Sequence, residues 1–282
     1  MLTAGLGTLL CGCADSALPT TGPEPTPTTA LPSPSPSPTH RAAALPAVTR
    51  WHPSTNDNEP LCKLAAVRVV ERAGNTPGHA LQVIEAQYGG LLASSASVLV
   101  VTRSWALRNG VLVPGGHTDD VRLTRHGATW RVDSIRPSRP GPPARVSDLA
   151  HAVLASKRID LPPAARADVE SGRIHDAPLA ALEHLSRDFR IGVSVLRSGH
   201  PLYVFGTNRL SDHPQGRAFD TWRIDGHAVV DPRTPRQLVT EYMHAVAATG
   251  SYNVGGPYLL GSAPQWFSDA THHDHVHAGF AA

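Results

Sequence analysis

A stretch of proline, threonine, serine and alanine, residues 17–46, decides which part of this chain can fold. Such a composition buries too little apolar surface to offset the entropy lost on ordering, so it predicts an extended, disordered tether, which we bound at residues 14–49. Compact structure must form after it, in a remainder long enough for two modest domains. We place these domains at residues 50–136 and 146–282, with the proline-rich residues 137–143 as a hinge.

The segment before the tether, residues 1–13, is an apolar run that ends Leu10-Cys11-Gly12-Cys13. This ending resembles a bacterial lipobox, in which a small residue precedes a cysteine that becomes lipidated. The run is too short to span a bilayer, so we predict a cleaved signal peptide with Cys13 as the lipidation site. A plain secretory signal is the alternative. After cleavage and acylation only Cys62 remains, which excludes an intramolecular disulfide.

The first of the two predicted domains favours β-structure. Polar and apolar residues alternate on both sides of a glycine-containing turn in residues 97–113, around Asn109-Gly110, and in residues 120–135, around His126-Gly127. We interpret residues 78–87 as a helix. The pattern resembles the small cone-shaped fold of ketosteroid-isomerase-like domains, and no cluster of titratable residues stands out in it. We therefore predict a small α+β accessory domain.

The second predicted domain mixes helices with short strands. Ser147 can cap a helix, residues 178–189 carry apolar residues at helical spacing, and Asp225-Gly226 suits a hairpin turn. Residues 275–280 form a closing strand. This order predicts a small antiparallel sheet flanked by helices, so the fold class of the whole folded part is α+β.

Two short segments of this domain carry residues suited to a metal site. Side chains alternate across a strand, so His275 and His277 share one face of the closing strand. His213 lies in a loop that ends at Gly216, and Asp220 falls in the strand that follows. The set His213, Asp220 and His277 leaves a fourth tetrahedral position for water, which is typical of a catalytic rather than a structural zinc site.

These segments carry a family resemblance. The pattern Ser-x-His-x-x-Gly-x-Ala-x-Asp at residues 211–220, followed by His-x-His, resembles the zinc D-Ala-D-Ala carboxypeptidase family and the wider group with lysostaphin-type endopeptidases and the hedgehog domain. It implies that Zn²⁺ is bound by His213, Asp220 and His277. It also implies that His275 acts as a base or stabilises the transition state. Asp274 is the alternative base, and Arg197 is expected over the site, where it would neutralise a substrate carboxylate or an oxyanion.

The expected function follows from this resemblance and from the predicted export. We expect a zinc metallopeptidase of an actinobacterial cell envelope, lipid-anchored outside the cytoplasmic membrane, that cuts peptidoglycan peptides as a carboxypeptidase or an endopeptidase. One alternative is a metal-stabilised module that binds wall peptide or a protein without cleaving it. Another is that the first domain is the functional unit and binds a small ligand. The formal net charge of +2 gives no argument for nucleic acid or for a polybasic membrane contact.

Overall fold

The computed structural model describes residue 22 and residues 43–282, and Ala42–Ala282 form one compact unit. The predicted signal peptide with Cys13, and most of the predicted tether, lie outside the described residues. Within residues 43–282 the chain forms five α-helices and two sheets, which confirms the α+β class. No helix of this part combines the length and the apolar character that crossing a bilayer requires.

One helix and one antiparallel sheet make up the first region, residues 50–137. The helix is α1 (Pro60–Gly74), and the strands are β1 (His79–Leu91), β2 (Ser95–Arg108), β3 (Val111–Gly115), β4 (Thr118–His126) and β5 (Thr129–Pro137). The strand order is β1-β2-β4-β5, with β3 paired to β2. Helix α1 packs across this sheet, and the apolar side chains between them form a buried core.

Local turn signals in this region are confirmed, while one helix prediction is wrong. Asn109 and Gly110 adopt left-handed conformations, with φ of 51° and 77°, and join β2 to β3. Strands β4 and β5 pair around the predicted His126-Gly127 turn. The predicted helix at residues 78–87 is instead the turn residue Gly78 followed by the first part of β1, because residues 79–87 pair with the distant β2. The helix of this region precedes that strand.

The second region, residues 146–282, builds a mixed sheet with helices packed on it. Its helices are α2 (Asp148–Ala155), α3 (Pro163–Glu170), α4 (Asp176–Leu185) and α5 (Arg236–Ala248), with a 3-10 turn at Thr271–His273. Its strands are β6 (Ile159–Asp160), β7 (Ile191–Val195), β8 (Ala218–Ile224), β9 (His227–Ala228), β10 (Asn253–Gly255), β11 (Trp266–Phe267) and β12 (Val276–Gly279). The order is β11-β10-β12-β8-β7-β6, with β9 paired to β8.

Most pairs in this sheet are antiparallel, as predicted, but β6 with β7 and β10 with β11 are parallel. Helix α2 begins as predicted, since the Ser147 hydroxyl accepts a hydrogen bond from the Ala150 backbone N at 3.3 Å. The turn at Asp225 and Gly226, both with positive φ, joins β8 to β9. The central strands β12 and β8 carry the side chains described below.

The two sheets meet through a small apolar cluster. Leu99 and Val101 of β2 and Val195 of β7 are almost fully buried there. Farther along β1, a Cβ added to Gly90 would lie 2.1 Å from the Phe205 side chain, so only glycine allows this close approach. The contact sets the C-terminal half of β1 against the loops that follow β7.

Candidate metal centre

The register of the two central strands places two of the predicted ligands side by side. Asp220 of β8 and His277 of β12 are direct antiparallel partners. Directly opposed residues in an antiparallel pair project from the same face of the sheet. The neighbouring residues Phe219 and Ala278 project to the other face and are buried in the core of the second region. The pairing of β8 with β12 therefore places the Asp220 carboxylate beside the His277 imidazole on this face.

The third predicted ligand comes from the loop before β8. His213 is 1% exposed, and its Nδ1 lies 2.8 Å from the Leu196 carbonyl oxygen. Nδ1–H therefore donates to that oxygen, which leaves the Nε2 lone pair free. The loop closes at Gly216, where φ is +72° and an added Cβ would lie 2.0 Å from the Arg173 carbonyl oxygen. Glycine at this position is thus required for the loop to return into β8.

The three predicted ligands converge on one point. His213 Nε2 lies 3.1 Å from Asp220 Oδ1 and 3.1 Å from His277 Nδ1. His277 Nδ1 lies 3.0 Å from Asp220 Oδ1. Zinc with ligand bonds of about 2.0–2.1 Å separates tetrahedral ligand atoms by about 3.3–3.4 Å. The triangle of two imidazole nitrogens and one carboxylate oxygen therefore has dimensions close to those that a single ion needs.

Protonation at this point suits metal binding. Burial would raise the pKa of Asp220, but the neighbouring histidines His213, His275 and His277 hold this pKa well below its ordinary value. Burial lowers the pKa of His277 to about 4, against the opposing effect of Asp220. At neutral pH the carboxylate is ionised and the His277 ring is neutral, and these are the forms that coordinate metal ions.

A further histidine that the sequence analysis missed lies beside these ligands. His200, in the loop after β7, stacks on His213 with ring centroids 4.2 Å apart. Ligand atoms of His200, His213 and Asp220 lie within 4.8 Å of one another, so this group could hold a metal ion. We rank His277 above His200 as the third ligand, because its nitrogen is about 3 Å from both of the shared ligands. His200 is then a candidate for the fourth position.

His275 faces the same point with a carboxylate behind it. Its Nδ1 lies 2.6 Å from Asp274 Oδ1, and its Nε2 lies 3.8 Å from Asp220 Oδ2. Burial lowers the pKa of His275, but the charge of Asp220 and the hydrogen bond to Asp274 outweigh burial and leave the pKa above its ordinary value. Nδ1–H is thus committed to Asp274, and Nε2 is the ring atom available on the side of the ligands.

The structure corrects the assignment of Asp274 as an alternative base. Its second oxygen accepts from the Tyr88 backbone N at 3.0 Å and pairs with Lys63 Nζ at 2.7 Å. Asp274 is 2% exposed, and burial, which would raise its pKa, is overcome by Lys63 and His275, so the pKa falls to about 2. Both of its oxygens are thus engaged behind His275, and Asp274 orients that ring; its position does not support the role of a base.

Lys63 connects this carboxylate to a buried charge cluster in the first region. The ammonium group is fully buried and also pairs with Asp57. Burial lowers the pKa of Lys63, but Asp274 and Asp57 raise it further, so the group stays charged. Burial raises the pKa of the neighbouring Glu85 to about 7. The expectation that no titratable cluster marks the first region is wrong, because its members come together only in the folded chain.

Arg197 is also placed differently from the expectation. Its Nη1 lies 4.0 Å from Oδ1 of the buried Asp168, and its backbone N donates to Asp168 Oδ2 at 3.1 Å. It lines a separate cavity of about 330 Å³ next to the metal ligands. Asp168 thus draws the arginine away from the cleft that contains the ligands, and the oxyanion role is not supported by its position.

The ligands stand at the base of a cleft of about 450 Å³ between the two regions. The cleft is lined by the end of β1 and the turn after it, including Gly89, Leu91 and Leu92, and by Phe205 and Phe267. The adjacent His272 also lines the cleft, with its ring centroid 5.1 Å from that of His275. The candidate ligands thus line a cleft that a small molecule or a peptide can enter.

A scan against models of protein families, a search of curated proteins and a search of solved structures each found no match to this chain.

Proposed function

We propose that this protein is a zinc-dependent peptidase that acts on peptidoglycan peptides outside the cytoplasmic membrane. The observation that carries the proposal is the triangle of His213, Asp220 and His277 at the base of an open cleft, with His275 beside it. Two imidazoles and one carboxylate suit zinc better than Mg²⁺ or Ca²⁺, which prefer oxygen-only sets. The substrate class rests on the family resemblance of residues 211–220 and 275–277.

A zinc ion bound by these residues would lower the pKa of a bound water toward neutrality and polarise a carbonyl oxygen. His275 Nε2 would be the group that accepts a proton from such a water and returns it to the leaving amine. Asp274 fixes the tautomer that leaves Nε2 available and stabilises the imidazolium that forms, and Lys63 keeps Asp274 ionised. The raised pKa of His275 makes it more basic than His277, whose pKa burial lowers.

Digestion of purified muropeptides tests the proposal. The wild-type chain should release product, and the release should stop when a chelator removes the metal. His275→Ala should retain one zinc per chain but lose turnover, and His213→Ala should lose the zinc. His126 is an exposed histidine at the end of β4, so His126→Ala is the matched control and should change neither property. An active His275→Ala variant would refute the role of His275.

A second candidate function is favoured by the position of His200. Four protein ligands close a zinc site and leave no place for water, as in structural zinc sites. If His200 completes the set with His213, Asp220 and His277, the metal would stabilise a module that binds wall peptide or a protein without cleaving it. Metal analysis and digestion of His200→Ala separate the two functions. The closed site is supported if His200→Ala binds zinc more weakly than the wild type and the wild-type chain releases no product.

A further inference from the structure

A buried glutamine of the first region contacts a candidate ligand of the second. Gln87, on β1, is 0% exposed, and its Nε2 donates to Asp220 Oδ2 at 2.6 Å. Asp220 Oδ1, the other oxygen, is the atom that faces His213 and His277. The two oxygens of this carboxylate thus have different partners. Oδ1 contacts the two candidate histidine ligands, and Oδ2 accepts a hydrogen bond from the amide.

The orientation of the amide is fixed by a serine on β7. The Ser194 hydroxyl donates to Gln87 Oε1 and lies 3.2 Å from the Asp220 backbone oxygen. Ser194 is also 0% exposed. Because the hydroxyl proton occupies the oxygen end of the amide, the nitrogen end must face the carboxylate. A rotated amide would set its oxygen against Asp220 Oδ2 with no proton between them.

Hydrogen bonds of this kind orient the groups that hold a metal. A carboxylate free to rotate offers either oxygen or both, whereas a carboxylate anchored at one oxygen presents the other in a fixed direction. Burial strengthens the effect, because the Asp220 side chain is 1% exposed and hydrogen bonds are stronger in such surroundings than in water. Leu99 and Val101 of β2 contact Val195 of β7, and Leu99 is the direct strand partner of Gln87, so this contact helps to fix where the amide sits.

We propose that Gln87 is a positioning residue for Asp220, so that the metal centre is completed by the first region rather than contained in the second. This inference rests on the metal centre of the proposed function, but it does not depend on catalysis. It predicts that a change on β1 weakens metal binding while every candidate ligand remains in place.

The test measures the affinity of the full folded chain for zinc alone and for cobalt alone, by competition with a chromophoric chelator. Gln87→Met keeps the length of the side chain and removes the donor, and it should weaken zinc binding about 10- to 100-fold. Ser194→Ala leaves the amide free to rotate and should weaken binding by a smaller factor. The visible absorption of bound cobalt should change in both variants, since the carboxylate geometry around the ion changes.

Gln82→Met is the matched control, because Gln82 lies on the same strand and bonds Thr49, far from the ligands. It should bind both metals as the wild type does. The inference is overturned if Ser194→Ala and a folded Gln87→Met bind zinc within twofold of the wild type with an unchanged cobalt spectrum. If Gln87→Met does not fold, Ser194→Ala decides alone. A wild-type chain that binds no zinc overturns the proposed function as well, whereas binding without peptide cleavage overturns only the catalytic proposal.

Discussion

The two regions bury charge in opposite ways. The first region buries a cation of its own, Lys63, between Asp57 and Asp274. The second region gathers His213, His277 and Asp220 within about 3 Å of one another, and within residues 43–282 no lysine or arginine pairs with any of the three. In the first region the carboxylates have a cation of the protein as their partner, while in the second region the ligand atoms leave a position that suits an external cation.

This contrast explains why the two clusters should respond differently to the same treatment. Buried ions are stable only when they are paired, so removing the lysine must be costly whatever the solution contains. The histidine and carboxylate cluster should instead depend on the metal in solution, because binding to the folded state alone stabilises it.

Lys63→Met should give the largest loss of stability. It leaves Asp57 and Asp274 buried without their cation, and we expect a loss of about 3–5 kcal/mol in the free energy of unfolding. Urea unfolding measures the loss, which should be the same with and without chelator. The matched control is Lys157→Met at an exposed position, for which we expect a change within about 0.5 kcal/mol. A loss below about 1 kcal/mol for Lys63→Met would show that the acids around it are not ionised.

Glu85 is an acid near the same cluster, and Glu85→Gln should change how the free energy of unfolding depends on pH. Burial raises the pKa of Glu85 from 4.5 to about 7 in the folded state. A raised carboxyl pKa stabilises the protein below the unfolded pKa, and this stability is lost as the pH rises toward 7. The free energy of unfolding of Glu85→Gln should therefore rise relative to that of the wild type between pH 4.5 and 7, by about 3 kcal/mol at most.

Unfolding curves of both proteins from pH 4 to pH 8 measure this difference, in which the titration of histidines common to both cancels. Glu241→Gln, at an exposed position of α5, is the control and should give a flat difference. A flat difference for Glu85→Gln as well would mean that Lys63 keeps the Glu85 carboxylate ionised at low pH, as it does Asp274.

Metal removal should affect the second region by a smaller amount. At a free zinc concentration of about 100 times Kd, binding adds about 2.7 kcal/mol to the free energy of unfolding. A chelator should remove this increment from the wild type and should change nothing in His213→Ala. His126→Ala should keep the full increment. Equal chelator effects in wild type and His213→Ala would remove His213 from the ligand set.

What the sequence predicts depends on how far apart the interacting residues lie. The turns at Asn109-Gly110 and Asp225-Gly226 are local, so short-range signals are sufficient to place them. The three candidate ligands come from two segments whose spacing and alternation carry the information. Gln87 has no such signal, because its partner Asp220 is 133 residues away.

The same reason accounts for the other differences. Lys63 reaches Asp274 from α1 only after both regions have folded, and each of them taken alone resembles an ordinary surface charge. His200 lies outside both recognised segments and meets His213 through the loop after β7. Residues 78–87 were predicted as a helix because their strand partner, β2, cannot be identified from the segment itself. Tertiary pairing decides these positions, and local propensity does not.

The smallest effect should come from a charge pair in the second region that is not buried. Arg187, in the turn that follows α4, has its Nη2 2.8 Å from Oε2 of Glu183 in the last turn of that helix, with 63% and 35% of the two side chains exposed. Water and salt screen such a pair, so Glu183→Gln should cost less than about 0.5 kcal/mol, and high salt should abolish the difference. The distance is close to the 2.7 Å between Lys63 and Asp274. The two pairs therefore have similar distances but differ in burial. If Glu183→Gln lost as much free energy of unfolding as Lys63→Met, burial would not be the cause of the contrast between the regions.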